Sequence, residues 1–215
     1  MMFIVLEGID GSGKTTQARR LGEWLSGLLG RERVLVTKEP GGWPGGDAVR
    51  RLALGGSLSS VWGEFFLFMT DRCEHVSGVV TPALEKGVCV VCDRYTPSTL
   101  AYQVLSNPSI GNEAADYMTG VSEVIGLPRP DCVCLLDIGA DAARRRLEAR
   151  GKLDSFDAKG RDYFERVRAG YDVLMKRSPD GWIKIDASGD ENAVFGELKR
   201  GLERRLGTRL SGYAA

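Results

Sequence analysis

Apolar residues occur along this chain in short, nearly continuous runs that are separated by segments with helical spacing. The runs are continuous rather than alternating, which is typical of strands buried on both faces of a parallel sheet. Five strands are therefore predicted, from the runs FIVLE (3–7), RVLVT (33–37), VCVVCD (88–93), CVCLLD (132–137) and WIKID (182–186).

The segments between the runs carry apolar residues three or four positions apart, as amphipathic helices do. This spacing predicts helices over 15–29 and 64–84, and a last helix with apolar residues at every fourth position from Val194 to Leu206. Strands that alternate with helices indicate an α/β fold, with helices on both faces of the sheet and ligands at the carboxyl ends of the strands.

Two stretches interrupt this alternation. EPGGWPGGD (39–47) is dense in glycine and proline, and RGKLDSFDAKG (150–160) is polar with no regular apolar spacing. Strand and helix signals resume directly on both sides of each stretch, so neither is typical of a linker between domains. We expect a single domain over 1–215, in which both stretches are functional loops over one site.

The charge balance narrows the classes of partner. Lysine and arginine together number 29, as do aspartate and glutamate, so the 215 residues carry no net charge. Without a basic excess, general electrostatic binding to nucleic acid or to a membrane surface is not expected. The apolar runs are too short to span a bilayer, and the N-terminus has no basic leader, so we expect a cytoplasmic protein.

The cysteines raise the question of a metal site, because Cys89 and Cys92 form a C-x-x-C pattern and Cys132 and Cys134 a C-x-C pattern. In a strand, residues three apart point to opposite faces of the sheet. Cys89 and Cys92 therefore cannot easily bind one ion, and the other pair lies in the same apolar setting. We interpret all four as buried, reduced thiols.

The segment EGIDGSGKTT (7–16) carries the clearest chemical signal. Gly8, Gly13, Lys14 and Thr15 fit the pattern G-x-x-x-x-G-K-[ST] between a predicted strand and a predicted helix, as a phosphate-binding loop requires. Lys14 is expected to reach the outer phosphates of a nucleoside triphosphate as a catalytic residue, and Thr15 to bind Mg²⁺. The predicted triphosphate site consists of Gly8, Ile9, Asp10, Gly11, Ser12, Gly13, Lys14, Thr15 and Thr16.

This loop predicts a nucleotide but not its use, which is either hydrolysis by a switch or motor, or transfer by a kinase. The guanine-reading N-K-x-D and the D-x-x-G of GTP-dependent switches do not follow the relevant strands. The strand at 88–93 ends instead in Asp93, which can hold Mg²⁺, and Arg94 beside it can bind an anionic phosphate. An Asp-Arg pair taken alone is more often a salt-bridged strand end.

Together with the glycine loop, TKEPGG (37–42), EFFLFMTDRCEHV (64–76) and DRYTPSTLAYQ (93–103) resemble the thymidylate kinase family. The likeness extends from Phe3 to about Asp186, with the motifs in the family's order. It implies a P-loop NTPase fold, phosphorylation of dTMP to dTDP with ATP and Mg²⁺, and a homodimer formed through the long helices.

The resemblance also implies an acceptor site for dTMP. Phe68 corresponds to the aromatic residue that stacks on thymine, and Arg72 to the arginine that hydrogen-bonds the base. Arg94, helped by Arg50, corresponds to the residue that binds the acceptor phosphate, and Asp10 to the acid that accepts a hydrogen bond from the sugar 3′-hydroxyl. The whole implied set is Asp10, Glu39, Pro40, Arg50, Phe68, Arg72, Arg94, Ser98, Thr99, Tyr102 and Gln103.

The segment RRRLEARGKLDSFD (144–157) resembles the family's mobile lid, which we take to extend to about residue 160. Some relatives carry the catalytic arginine in the phosphate loop, at the position that is Gly11 here, and others carry it in the lid. The resemblance therefore indicates Arg150 as the catalytic lid arginine, with Arg146 as the second choice. Many relatives have arginine where this chain has Ser155, which leaves the choice of lid cation open.

Three points about the site remain: where adenine binds, what His75 does, and whether a general base is needed. The resemblance puts the adenine of ATP beside Arg144 and the loop at Ala187–Ser188 after the last strand. His75, the only histidine, lies on the same predicted helix as Arg72, and we assign it no chemistry. No strong general base is expected, because a phosphate monoester is mostly dianionic at neutral pH.

Two rival functions remain. A deoxynucleoside kinase of the same broad fold phosphorylates an uncharged hydroxyl and needs a carboxylate base, for which Glu7 or Asp93 would be available. The cationic set Arg50, Arg72 and Arg94 argues against that acceptor. A regulatory nucleotide-binding protein would have no acceptor at all.

Overall fold

The computed structural model describes residues 2–110, 113–151, 155 and 159–213, without the side chains of 150 and 211–213. Within this part of the chain, five parallel strands form one sheet in the order β2-β3-β1-β4-β5. Every predicted strand is present, with its ends at or next to the predicted residues. The strands are β1 (Met2–Glu7), β2 (Val34–Lys38), β3 (Cys89–Asp93), β4 (Cys132–Asp137) and β5 (Trp182–Asp186).

The burial of each strand follows its place in the sheet. β1 and β3 lie inside the sheet and all their residues are buried, as continuous apolar runs predict. In the outer strands β2 and β5 every residue except Ile185 is half-buried or exposed, and Val36 of β2 is 44% exposed. The prediction of full burial was therefore wrong for the two edge strands, which have a neighbouring strand on one side only.

The predicted helices are present, and the middle one is longer and less regular than its spacing indicates. The chain is helical from Val61 to Glu85 and includes a π-helical stretch at Val76–Val80. A second π-helical stretch, Leu100–Leu105, continues α5. The described helices are α1 (Lys14–Leu29), α2 (Gly46–Leu54), α3 (Val61–His75), α4 (Thr81–Glu85), α5 (Thr96–Thr99), α6 (Glu113–Val124), α7 (Ala140–Arg150), α8 (Arg161–Arg177) and α9 (Glu191–Tyr213).

Alternate side chains of the strands pack into two cores, one on each face of the sheet. Ile4 and Leu6 of β1 belong to the larger core, which also contains residues of α1, α8 and α9. Phe3 and Val5 belong to the smaller core on the other face. None of the described helices combines the length and the apolar character that crossing a membrane requires.

The strand cysteines are buried free thiols, as predicted. Cys89 lies in the larger core and Cys92 in the smaller one, which places them on opposite faces of the sheet. Cys132 and Cys134 share a face, and their sulfur atoms are 3.8 Å apart within the larger core.

Each strand ends in a charged residue, and the carboxyl ends of parallel strands meet at one edge of the sheet. The phosphate-binding loop leaves this edge from β1, and Arg94 leaves it from the neighbouring strand β3. The topology therefore brings the motifs at 8–15 and 93–103 together. The terminal residues are Glu7, Lys38, Asp93, Asp137 and Asp186.

Candidate active site

The phosphate-binding loop connects β1 to α1, and its glycines adopt conformations that other residues rarely take. Gly8, Gly11 and Gly13 have φ angles of 140°, 82° and 92°. A Cβ atom at Gly8 would lie 2.5 Å from the carbonyl oxygen of Leu136. A Cβ atom at Gly11 would lie 2.4 Å from the carbonyl oxygen of Ala143 in α7. Gly8 and Gly11 are therefore required both by backbone conformation and by close approach to other elements.

We expect Gly11→Ala to lower the free energy of unfolding by about 2–4 kcal/mol, the sum of backbone strain and displacement of α7. Gly87→Ala is the matched control, because Gly87 also has a positive φ, 75°, but a Cβ atom there would have no neighbour within 4 Å. The control should lose only the strain contribution of about 1–2 kcal/mol. Urea unfolding measures both losses, and equal losses would show that contact with α7 contributes nothing.

Lys14 is the first residue of α1 and is almost completely buried. Its ammonium group donates a hydrogen bond to the carbonyl oxygen of Ile9 at 2.9 Å, so the side chain curls back over the loop. Burial, reinforced by the positive charge of Arg94, lowers the pKa of Lys14 to about 8. An anionic ligand in the loop would relieve this crowding of positive charge.

Thr15 and Asp93 meet beside the loop. The Thr15 hydroxyl donates to Asp93 Oδ2 at 2.6 Å. The other carboxylate oxygen, Asp93 Oδ1, is buried and has no hydrogen-bond partner within the described part of the chain. A hydroxyl together with a carboxylate whose second oxygen is unpartnered suits Mg²⁺, which prefers oxygen ligands. These two residues therefore fit the metal site that the sequence predicts.

Asp10, the acid within the phosphate-binding loop, is held by two side chains from the segment after β3. Arg94 Nη2 donates to Asp10 Oδ1, and the Tyr102 hydroxyl donates to Oδ2 at 2.8 Å. Burial by itself would raise the pKa of Asp10, but the positive charges of Arg94 and Lys14 outweigh it and lower that pKa. Asp10 is therefore an ionised carboxylate that ties the loop to the segment beside it.

Arg94 is held from several directions at this junction. Its guanidinium Nη1 donates to the carbonyl oxygen of Gly8 at 3.2 Å and to Ser98 Oγ at 2.9 Å. The same group lies 4.9 Å from the ring centroid of Tyr102. Its φ of 74° is the one positive value outside glycine in the described residues. Such a conformation costs about 1–3 kcal/mol and persists only where neighbouring contacts determine it.

Glu7, the last residue of β1, anchors the turn that carries Arg94. Its buried carboxylate accepts hydrogen bonds from the backbone N–H groups of Tyr95 and Ser98, at 2.9 and 3.2 Å. It also accepts from the hydroxyls of Ser98 and Tyr171, at 2.6 and 2.8 Å. Burial raises the pKa of Glu7. Because its carboxylate already accepts four hydrogen bonds from the protein, Glu7 stabilises the turn. These contacts do not support a role for Glu7 as a general base.

A cleft opens beside Asp10 and Arg94. It is lined by every residue that the resemblance implies for the acceptor except Arg50, whose guanidinium donates to the carbonyl oxygen of Pro40 at 3.0 Å. Leu54 is the additional lining residue, and nothing in the sequence distinguishes it from other apolar residues. The lining residues are Asp10, Glu39, Pro40, Leu54, Phe68, Arg72, Arg94, Ser98, Thr99, Tyr102 and Gln103.

The loop that brings Glu39 and Pro40 to this cleft is fixed by a residue to which the motifs gave no role. Asp71 of α3 is buried and accepts hydrogen bonds from the backbone N–H of Gly41, at 3.0 and 3.1 Å, and from Trp43 Nε1 at 2.8 Å. Burial raises the pKa of Asp71. The glycine- and proline-rich stretch at 39–47 is therefore held against α3.

Among the described residues, Glu39, His75 and Cys92 form a cluster that could hold a metal ion, because one possible ligand atom of each lies within 4.8 Å of the others. Each already has protein partners. Glu39 accepts from Arg72 at 2.8 Å, and the Cys92 thiol donates to the carbonyl oxygen of Arg94 at 3.0 Å. Burial raises the pKa of Cys92 well above its usual value, which disfavours the thiolate that binds metals. The group is a hydrogen-bonded cluster of the protein interior.

A second cavity lies between the phosphate-binding loop and the segment after β5. Arg146 of α7 lines it and donates to the carbonyl oxygens of Ser188 and Gly189, at 3.2 and 2.9 Å. Arg144, the residue predicted for this place, instead pairs with Glu148 at 2.8 Å on the exposed surface. Positions two apart on a helix differ by about 200° in direction, so the two arginines cannot share one face. The lining residues are Ser12, Gly13, Thr16, Gln17, Arg146, Gly189, Asp190, Glu191 and Val194.

Part of the predicted lid lies outside the described residues, namely 152–154, 156–158 and the side chain of Arg150. The assignment of Arg150 as the catalytic lid arginine therefore stays a prediction. Ser155 is described, and its backbone N–H donates to the carbonyl oxygen of Leu54 at 3.2 Å, which joins the lid segment to α2 beside the cleft.

Comparison with known proteins gives a consistent result. The family model described as Thymidylate kinase matches residues 6–198. A thymidylate kinase from Caulobacter vibrioides is 38% identical over 209 residues, which cover 95% of this chain and 97% of the relative. One from Gluconobacter oxydans is 36% identical, with 95% of each chain covered. A crystal structure of thymidylate kinase from Ehrlichia chaffeensis is similar with a TM-score of 0.76 at 30% identity, covering 94% of this chain and 98% of the other.

Proposed function

This chain belongs to the thymidylate kinase family, so it is a nucleoside monophosphate kinase that converts dTMP to dTDP, and we propose that ATP with Mg²⁺ is its phosphoryl donor. The proposal rests on the junction at Asp10 and Arg94, where the phosphate-binding loop meets the cleft. A donor held by the loop and an acceptor held by the cleft would have their phosphates side by side, as direct transfer requires.

We assign the donor to the loop from Gly8 to Thr16, with Lys14 against the outer phosphates. Thr15 and Asp93 would hold Mg²⁺, which supplies positive charge to the phosphates when it is bound. The adenine assignment moves from Arg144 to Arg146, since Arg146 lines the cavity next to the loop.

We assign the acceptor to the cleft, with thymine between Phe68 and Arg72 and with Tyr102 under the sugar. The 3′-hydroxyl of dTMP would donate to Asp10. Both carboxylate oxygens of Asp10 already accept one hydrogen bond each. Each such oxygen can accept a second one, so Arg94 and Tyr102 do not prevent this contact.

The nucleophile is an oxygen of the acceptor phosphate. With a second pKa of about 6, that phosphate is mostly dianionic at neutral pH and needs no general base. Catalysis then consists of alignment and of charge stabilisation by Lys14, by Arg94 and, from the lid, by Arg150.

A deoxynucleoside kinase is the rival with the same fold, and its hydroxyl acceptor would need a carboxylate base. Glu7 is already bound by four donors, which weakens that rival. The deciding experiment combines ATP or GTP with dTMP, dUMP or thymidine and identifies the products by chromatography. Formation of dTDP without phosphorylation of thymidine supports the proposal. Phosphorylation of thymidine at a similar rate, or ATP hydrolysis that no monophosphate affects, would overturn it.

The lowered pKa of Lys14, about 8, predicts how ATP binding depends on pH. Only the protonated ammonium binds phosphates well, so above pH 8 the ligand-free protein must take up a proton to bind. We expect ATP affinity to fall about tenfold for each pH unit above 8. Calorimetry in buffers of different ionisation enthalpy should show almost no proton uptake at pH 7 and close to one proton at pH 9. Lys14→Arg is the control, and proton uptake that persists in it would contradict the assignment.

We propose a homodimer that forms through the long helices, as the resemblance implies. Exposed apolar side chains on the long helix α3 and on the neighbouring α2 support it, since Leu52 of α2 and Trp62 and Phe66 of α3 are 43%, 37% and 60% exposed. The rings of Trp62 and Phe66 both contact Phe65, so they form one apolar surface. Sedimentation over a range of concentrations tests the dimer. A cytoplasmic location stays a prediction from the sequence.

A further inference from the structure

His75 has no part in the chemistry above, yet it lies completely buried at the end of α3 with both ring nitrogens engaged. Nδ1 lies 3.0 Å from Glu39 Oε1, and Nε2 lies 2.7 Å from Thr37 Oγ1. A carboxylate only accepts hydrogen bonds, so Nδ1 carries the hydrogen and donates it to Glu39. The Thr37 hydroxyl can then donate to Nε2 and hold the ring in this tautomer.

Glu39 connects His75 to the wall of the cleft. Its second oxygen, Oε2, accepts from Arg72 Nε at 2.8 Å. Arg72 Nη2 in turn donates to Thr99 Oγ1 at 3.0 Å. Glu39, Arg72 and Thr99 all line the cleft, whereas His75 and Thr37 lie behind them. Thr37, His75, Glu39 and Arg72 therefore form one chain of contacts that begins behind the cleft and ends on its wall.

The Glu39 carboxylate thus divides its two oxygens between two donors. Glu39 and Arg72 are 4% and 1% exposed, so water does not substitute for a lost partner. If His75 were replaced by an apolar residue, Oε1 would be left buried without its donor, a costly state. The Arg72 guanidinium, which already donates to the other oxygen of Glu39, is a donor that could turn toward Oε1. Turning toward Oε1 would take Arg72 out of the orientation set by Thr99.

We propose that His75 is a positioning residue for recognition of the acceptor base. It engages one oxygen of Glu39, so that the other oxygen and Thr99 hold the Arg72 guanidinium in the orientation that faces the base of dTMP. This inference rests on the proposed function only for the identity of the base. The chain of contacts itself does not depend on which nucleotide binds.

The test uses three substitutions at one position. His75→Leu removes both contacts. His75→Asn places an amide N–H near the position of Nδ1 and keeps the donor to Glu39, whereas His75→Gln reaches the position of Nε2 and keeps only the contact with Thr37. Val76→Ala, a buried change at the next residue, controls for loss of packing.

Binding of dTMP and of ATP is measured separately by calorimetry, together with KM and kcat for each. We expect His75→Leu to weaken dTMP binding and to raise its KM about tenfold, the loss typical of one buried hydrogen bond to a charged group. ATP binding and kcat should change far less. His75→Asn should recover most of the dTMP affinity and His75→Gln little of it. Selectivity for dTMP over dCMP should fall in parallel in the variants that lose affinity.

The inference is overturned if His75→Leu binds dTMP like the unchanged protein, or if it loses dTMP and ATP affinity equally, as Val76→Ala would through general destabilisation. It is also overturned if His75→Gln recovers the dTMP affinity that His75→Leu loses and His75→Asn does not. Should His75→Leu fail to fold, Thr37→Val removes the contact that holds the ring and should weaken dTMP binding in the same selective way. If the unchanged protein binds dTMP but forms no dTDP, the proposed function is rejected. The comparison of dTMP binding among the His75 variants would still decide the role of His75.

Discussion

Replacing Arg94 with alanine is expected to lower kcat for dTMP phosphorylation by about 10³-fold or more, with ATP affinity nearly unchanged. An arginine that stabilises charge on a transferring phosphoryl group contributes rate factors of about 10³–10⁵. Arg94 is placed for this role because it lies at the junction of loop and cleft, where it contacts both Asp10 and Tyr102. Single-turnover kinetics with saturating dTMP, together with calorimetric titration of ATP, separates the two quantities.

Arg94→Lys is the matched variant for this prediction. Lysine keeps the charge, but its single nitrogen cannot reproduce the two separate nitrogens with which the guanidinium donates to Gly8 and Ser98 from Nη1 and to Asp10 from Nη2. An intermediate loss of kcat is therefore expected, because a flexible ammonium replaces a planar fork. If Arg94→Ala lost ATP affinity as strongly as activity, Arg94 would belong to the donor site instead.

The second large effect is expected for Asp93→Asn, which should lower kcat about 10²-fold and raise the Mg²⁺ concentration needed for half-maximal rate. Asp93 Oδ1 is a buried carboxylate oxygen without a partner in the described residues, beside the hydroxyl of Thr15. Converting the carboxylate to an amide removes the negative charge that makes this place attractive to Mg²⁺. Activity measured over a series of Mg²⁺ concentrations reports the shift.

Asp137→Asn is a suitable control for that change. Asp137 also ends a strand at the same edge of the sheet, but it is paired with Arg168 at 2.6 Å and Lys184 at 3.1 Å. The control should lose stability through these ion pairs while its dependence on Mg²⁺ stays the same. A similar shift in both variants would mean that Asp93 acts through the stability of the sheet edge rather than through the metal.

The fold could be predicted closely because its signals are local. Continuous apolar runs identify strands that a parallel sheet buries, and the two misjudged strands, β2 and β5, were misjudged only in exposure. Strand order is a property of the whole sheet, so a run such as 33–37 does not by itself reveal that it forms an edge. The helix at Gly46–Leu54 was missed because the glycines and prolines before it favour a loop.

For the candidate site, the sequence indicated which residues take part, and the structure shows which of them lie together. The motifs indicated the residues of the cleft, and the structure brings all of them together except Arg50. The structure also adds Leu54 to the lining of the cleft, and it places Arg146 rather than Arg144 beside the segment after β5. These differences arise because the direction of a side chain depends on the neighbouring element against which its helix packs.

The sequence by itself predicted the chemistry: a glycine loop and Lys14 for phosphate, and Arg94 for a second anion. The glycine loop is recognisable within a few consecutive residues, whereas the role of Arg94 follows from the resemblance that several motifs carry together. Only the tertiary structure decided the roles of Glu7, Asp71 and His75. Each of these is a buried polar side chain whose partners are distant in sequence, and a buried polar group must find hydrogen-bond partners wherever the fold supplies them.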